Sequence, residues 1–214
     1  NLSPDAAVAP GSVPGRLNGN GVDLNRNWDC RWQQNAEILE VDVDGGGGTA
    51  VFSEPETQHL KNFIEQIEPA AVLFWGATRT NGRVAPGVCE TTSQVSLPIS
   101  QYYGQATGHE FFTNLEVNAD DGLTGDVTNW LDKIGIPAAF VLLPGFLEYD
   151  FQRELRGVLA VLTAVANPET IQQTPTPESC LETVNPAWAA LYAEYRFQLG
   201  CPVSGVNVPQ TVWQ

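Results

Sequence analysis

The residues best suited to chemistry lie in one short string. Gly19-Asn20-Gly21-Val22-Asp23-Leu24-Asn25-Arg26-Asn27-Trp28 sets an amide beside a guanidinium at Asn25 and Arg26, with a second guanidinium upstream at Arg16. A planar guanidinium forks onto a carboxylate through two charge-assisted hydrogen bonds. A second one, aimed at charge that develops during a reaction, stabilises that charge. Arg16, Asn25 and Arg26 are thus residue types that could recognise an anion. An equally weighted reading keeps them as structural residues that tie loops to backbone carbonyls.

Other chemistry is scarce. Only two histidines exist, His59 and His109. His59 falls on an amphipathic helix and is expected to be solvated. His109 follows Thr107-Gly108 at a helix end, where a capping or surface role is expected. The four cysteines, Cys30, Cys89, Cys180 and Cys201, include no Cys-x-x-Cys pair. A Cys/His zinc site is thereby disfavoured and two disulfides in an oxidising compartment are expected, with three connectivities open. Glu40-Val41-Asp42-Val43-Asp44-Gly45 has the alternation of a calcium loop, but its twelfth position is Val51, so an exposed acidic strand ending in the Gly45–Gly48 turn is expected instead.

The elements that must position the string follow a helix–strand alternation. Residues 1–48 read as loop with one short strand. Ser53-Glu54-Pro55-Glu56 has a capping-box pattern with Ser53 as the cap, opening a helix to about Gln66 that carries Leu60, Phe63, Ile64 and Ile67 on one face. Residues 70–75 and 138–143 are unbroken apolar runs, as expected of strands covered on both sides. Helices are expected over 99–107, from about Asp126 with Trp130 and Leu131, and over 150–166 with Phe151, Leu155, Val158, Leu159, Leu162 and Val165 on its apolar side. The pattern predicts an α/β domain with a mixed, largely parallel central sheet flanked by helices. Residues 167–179 read as a Pro/Thr/Gln linker. Residues 180–214 form a small C-terminal piece, with a helix over 186–198, that a Cys180–Cys201 disulfide would staple.

Bulk composition excludes several functions. With 25 acidic against 10 basic residues in 214, the net charge is −15. Nucleic acid is a poor partner for such a surface. No apolar run approaches the ~20 residues of a membrane-spanning helix. Methionine is absent and no signal peptide is visible, so a processed product or a segment of a longer chain is expected.

The string from Gly19 to Trp28, with Arg16 upstream, resembles the signature of the carboxypeptidase A-like zinc metallocarboxypeptidases. Leu2-Ser3-Pro4-Asp5-Ala6, Phe52-Ser53-Glu54-Pro55-Glu56-Thr57, Thr124-Gly125-Asp126, Trp130 and Gly135-Ile136-Pro137-Ala138 match further family segments in order, so residues 1–166 are covered. The resemblance implies that Asn25 and Arg26 grip a substrate's C-terminal carboxylate and that Arg16 stabilises the oxyanion. Similar bacterial members carry cysteines at the places of Cys30 and Cys89, which implies that these two pair. Leu199-Gly200-Cys201-Pro202 resembles the start of small modules behind Pro/Thr linkers in exported bacterial proteins, which implies that the parent protein continues.

Departures from the family pattern matter as much. Family zinc is held by H-x-x-E, which would lie upstream of this chain, and by a third His that ends the first buried strand, where this chain has Gly76. The family's general-base Glu corresponds to Leu142. No Tyr stands in Val117–Asp121, where the family's mobile Tyr belongs. A catalytic zinc needs three protein ligands and a base for its water. The resemblance thus implies a domain without intact catalytic residues and without zinc. Such a domain would act as an extracellular or cell-surface binding or structural module, with a peptide C-terminus or a neighbouring protein chain as partner. The alternatives are an active zinc carboxypeptidase with its first ligands upstream, and a structural component of a cell-surface assembly.

Overall fold

The computed structural model describes residues 11–77, 82–90, 93, 95–111, 124–145 and 150–167. The expected linker, the small terminal piece, Cys180 and Cys201, Leu2–Ala6 and Val117–Asp121 lie outside the described residues.

The string begins after α1 (Val13–Arg16), which Ser12 caps by accepting from Gly15 N, and it closes with a 3-10 turn (Leu24–Arg26) capped by Asp23. A hairpin follows, made of β1 (Ala36–Ile38) and β2 (Val41–Val43), so the first 48 residues hold two short strands rather than one. Positive φ at Leu39 and Glu40 makes the tight reversal that the sequence did not signal with glycine.

The sheet that organises the rest has β3 (Val72–Ala77), β4 (Arg83–Pro86), β5 (Glu110–Phe111) and β6 (Ala138–Leu143), in the order β3-β6-β4-β5. β3 and β6 run parallel, β6 and β4 antiparallel, and β4 and β5 parallel. The mixed sheet flanked by helices is the architecture expected from sequence. β6 has the expected bounds, while β3 starts two residues later because Ala70 and Ala71 precede its first pairing.

Side chains alternate between the two faces of the sheet. On one face lie α2 (Pro55–Ile67) and α4 (Val127–Lys133). Their core joins Trp28, Ile64, Val127, Trp130, Leu131 and Ala138, with Leu60, Val72 and Phe74 packed against it. Trp28 and Trp130 meet at 5.0 Å between ring centroids, and Phe52 sets an edge against each. On the other face lie α3 (Leu97–Thr107) and α5 (Phe151–Ala166), whose core joins Val84, Ile99, Tyr103, Ala139, Val141 and Val161.

Three expectations about these elements are corrected. Ser53 does not cap α2. Glu54 stands at the N-cap without a side-chain cap bond, and the helix start is held from a distance by Asn27, whose Oδ1 accepts from Glu54 N (3.2 Å) and Thr57 Oγ1 (2.6 Å). Phe63 and Ile67 of α2 are exposed, because only Ile64 and Leu60 of that face reach the core. In α5 the buried stripe is Glu154, Gly157, Val161 and Ala164, whereas Phe151, Leu159 and Leu162 face solvent. Close approach decides this: a Cβ at Gly157 would stand 2.7 Å from Tyr103 Cε2 and Thr107 Cγ2, so α3 packs where α5 is thinnest rather than where it is most apolar.

Candidate functional site

Asp23 organises the string. One carboxylate oxygen, Oδ1, accepts from Asn25 N at 3.0 Å, and the other, Oδ2, takes both Nε and Nη2 of Arg16 at 2.7 Å. Asp23 is buried, and Arg16 reaches it with a side chain 36% exposed. This edge-on grip sets the direction of the Arg16 guanidinium and leaves Nη1 outside the pair.

Asn25 and Arg26 are bound differently. Asn25 donates Nδ2–H to Asp126 Oδ2 (2.7 Å) and accepts from Val127 N (3.1 Å), so it helps hold the N-terminus of α4. Asp126 completes that terminus by accepting from Thr128 N and Asn129 N. The Arg26 guanidinium is buried and donates to two backbone carbonyls, Nε to Glu37 O (3.3 Å) and Nη1 to Asn25 O (3.1 Å). Burial pushes its pKa down from the ordinary value, against the opposing pull of Asp23. It nevertheless stays charged at any physiological pH.

Asn27 is the most heavily bonded member. Besides its bonds to α2 it donates Nδ2–H to Gly47 O (2.7 Å), Ala50 O (3.0 Å) and Ser53 Oγ (3.0 Å). Two backbone bonds, Gly125 N to Cys30 O (2.7 Å) and Trp28 N to Gly125 O (3.1 Å), lash the string to the turn before α4. Gly125 has φ +64°, and a Cβ there would run into the carbonyl of Arg26, so this approach requires glycine.

Arg16 and Asn25 line a pocket of about 290 Å³. Leu24, Trp28, Leu60, Phe74, Val127 and Phe140 supply its apolar wall, and Glu56 and Thr57 of α2 supply further polar groups. Arg26 is not among its lining residues. The structure therefore brings two of the three expected anion-binding residues to one pocket and places the guanidinium of the third, Arg26, on backbone carbonyls.

Gly76 and Leu142 are register partners across parallel β3 and β6. A Cβ at Gly76 would stand 2.9 Å from Phe140 Cε1 and 3.3 Å from Leu142 Cδ2, so hydrocarbon already covers this position. Neither residue offers a metal ligand or a proton acceptor. Among the described residues, no group of three or more His, Cys, Asp or Glu is placed to hold a metal ion.

Cys30 and Cys89 form a disulfide with Cα atoms 5.6 Å apart, closing 59 residues of chain. It sits in the core between the string and the segment after β4.

One polar cluster was not expected. His109 is buried, not a surface or capping residue, and its Nε2 lies 3.0 Å from both carboxylate oxygens of Glu154. A carboxylate can only accept, so Nε2 carries the proton. Glu154 also accepts from Tyr103 Oη (2.7 Å) and Arg153 Nε (2.9 Å), and Trp75 Nε1 donates to Tyr103 Oη (3.2 Å). A carboxylate inside a helix of apolar character was the available sequence signal. His59 is exposed, with Nδ1 2.6 Å from Pro55 O, in line with a solvated role.

Comparison with known proteins fits this geometry. Residues 10–79, which hold the string, α2 and β3, match the family model for zinc carboxypeptidases. Over those residues the chain is similar to the zinc carboxypeptidases. It is 44% identical over 68 residues to the murein peptide amidase A of Escherichia coli (strain K12), a match covering 27% of each chain. It is 23% identical over 192 residues to carboxypeptidase O of Homo sapiens, covering 82% of this chain and 46% of that protein. The chain thus spans less than half the length of either curated relative. The fold is similar to that of bovine thrombin-activatable fibrinolysis inhibitor, solved in complex with tick carboxypeptidase inhibitor. That likeness has a TM-score of 0.51 at 15% identity and covers 69% of this chain and 58% of that one. Gly76 carries no side chain that could ligate zinc, and Leu142 none that could take a proton.

Proposed function

We propose that this domain is a catalytically inactive metallocarboxypeptidase relative that binds a carboxylate-bearing ligand without cleaving it, in an extracellular or cell-surface protein. The observation that carries the reading is the Gly76–Leu142 pair, where the resemblance expects a zinc ligand and a general base. Leu142 accepts no proton, and the space above Gly76 is taken by Phe140. Loss of a general base alone lowers rate by ~10²–10⁴.

Arg16 at an apolar pocket supports retained carboxylate binding. Asn25 and Arg26 are committed to α4 and to backbone carbonyls, which supports a structural reason for their presence. The Cys30–Cys89 disulfide supports an oxidising compartment. The likeness to a murein peptide amidase adds murein peptides to the ligands worth testing.

The test has two arms. Purified protein is dialysed, assayed for zinc, and incubated with benzoyl-glycyl-phenylalanine with and without added zinc. Zinc well below one per chain and no release of phenylalanine are expected; zinc-dependent turnover would overturn the inactive reading. Titration calorimetry with short peptides and their C-terminal amides is expected to give heat with the acids alone. Equal responses to acid and amide would leave Arg16 as scaffold.

A further inference from the structure

We infer that the pocket beside Arg16 takes a free, zwitterionic amino acid with a large apolar side chain, whose ammonium group is received by the Glu56 carboxylate. This deepens the carboxylate-binding reading and rests on it.

Two opposite charges line one cavity of about 290 Å³, Arg16 from α1 and Glu56 from the first turn of α2. The remaining wall is mostly hydrocarbon and aromatic, with Leu24, Leu60, Phe74 and Phe140 facing the space. Ligand cavities commonly measure roughly 300–1,000 Å³, so this one stands at the small end and suits one amino acid better than a peptide.

The two charged groups are not equivalent. Nε and Nη2 of Arg16 are both spent on Asp23 Oδ2, so Arg16 presents directed Nη1 donors, but Asp23 offsets its charge. Glu56 is half-buried, and among the described residues its side chain makes no hydrogen bond or ion pair. A ligand that brings only a carboxylate and an apolar body strips water from Glu56 and gives it no partner, which is unfavourable. A ligand that also brings an ammonium group meets both charges. In the last residue of a peptide that nitrogen is an uncharged amide. Glu56 therefore selects the free amino acid over the chain end.

The inference is tested by calorimetric titration of the purified protein and its Glu56→Gln variant with L-phenylalanine, N-acetyl-L-phenylalanine and L-phenylalanine amide. Circular dichroism confirms that the variant folds. Phenylalanine is expected to bind about tenfold more tightly than its N-acetyl form, the scale of one charge-assisted contact. Glu56→Gln should abolish that difference, weakening phenylalanine and strengthening the N-acetyl form, which no longer desolvates an unpaired carboxylate. Equal affinity for the two acids, or a preference that survives Glu56→Gln, overturns the inference and leaves the carboxylate reading standing. Phenylalanine amide binding as tightly as phenylalanine overturns the carboxylate reading instead and keeps the ammonium site. No binding of any of the three overturns both.

Discussion

Gly76 and Leu142 stand side by side in register on neighbouring parallel strands, and the Phe140 ring lies over the hydrogen of Gly76 where a side chain would begin. The contact is with the far end of a side chain, so a larger residue at 76 can be admitted if the ring moves. Gly76→His is expected to destabilise the domain by about 1–3 kcal/mol through overpacking. Phe140→Ala made alone should also be destabilising, but the double variant should recover much of the Gly76→His penalty. Urea unfolding of the four proteins measures this coupling. Additive effects would mean that the ring is not what fills the place.

The string holds its neighbours through amides more than through charges. The two Nδ2 hydrogens of Asn27 are shared among three acceptors and its Oδ1 accepts two hydrogen bonds, while the residue is fully buried. Asn27→Ala leaves several buried groups unpaired and is expected to cost about 3–5 kcal/mol, well above a single lost bond. Asn25→Ala loses its hold on the start of α4 and should cost about 1–2 kcal/mol. Denaturant midpoints would reverse this ranking if Asn25 were the stronger support.

Much of this was legible in the sequence, for reasons that differ between elements. The apolar runs of β3 and β6 have no polar interruption, so burial on both faces was the natural reading. The start of α4 near Asp126, and the presence of Trp130 and Leu131 on it, were equally plain. The buried face of α5 was not legible, because periodicity marks where apolar side chains fall and not where Gly157 lets another helix come close. The direction of the Arg26 guanidinium was also hidden: the string names the residue types, while the carbonyl of Glu37 that receives it belongs to a hairpin with no matching signal. His109 was misplaced because its partner Glu154 lies 45 residues further along the chain.

The Cys30–Cys89 bridge closes a long loop of 59 residues. A bridge of that span mainly restricts the unfolded chain, typically by about 2–4 kcal/mol. The Cys30→Ser, Cys89→Ser double variant is expected to keep the native circular dichroism spectrum and lose stability of that size. Reductant should shift the unfolding midpoint of the natural chain by more than that of the variant, which keeps Cys180 and Cys201. Equal shifts in the two proteins would place the reductant's effect elsewhere.

Two buried glutamates set the response to acid. Burial alone raises the carboxyl pKa of Glu154, but hydrogen bonds from Tyr103, Arg153 and His109 together outweigh it and hold the pKa below the ordinary value. Glu54 follows the same balance, with burial opposed by Asn18, Asn20 and Ser53. A carboxyl with a depressed folded-state pKa gives stability that is fully present above its unfolded pKa, about 4.3 for glutamate, and is lost as pH falls through the folded-state value. Stability is therefore expected to be flat with respect to these two groups above about pH 5 and to decline below about pH 4. Glu154→Gln should be destabilised at neutral pH, since a neutral amide is a weaker acceptor for three donors. Its stability should then fall less steeply between pH 5 and pH 3 than that of the natural chain. Urea unfolding across that range, for the natural chain and for Glu154→Gln and Glu54→Gln, measures each slope. Parallel curves for natural and Glu154→Gln proteins would mean that the acid limb arises from carboxylates outside the Tyr103–His109–Glu154 cluster.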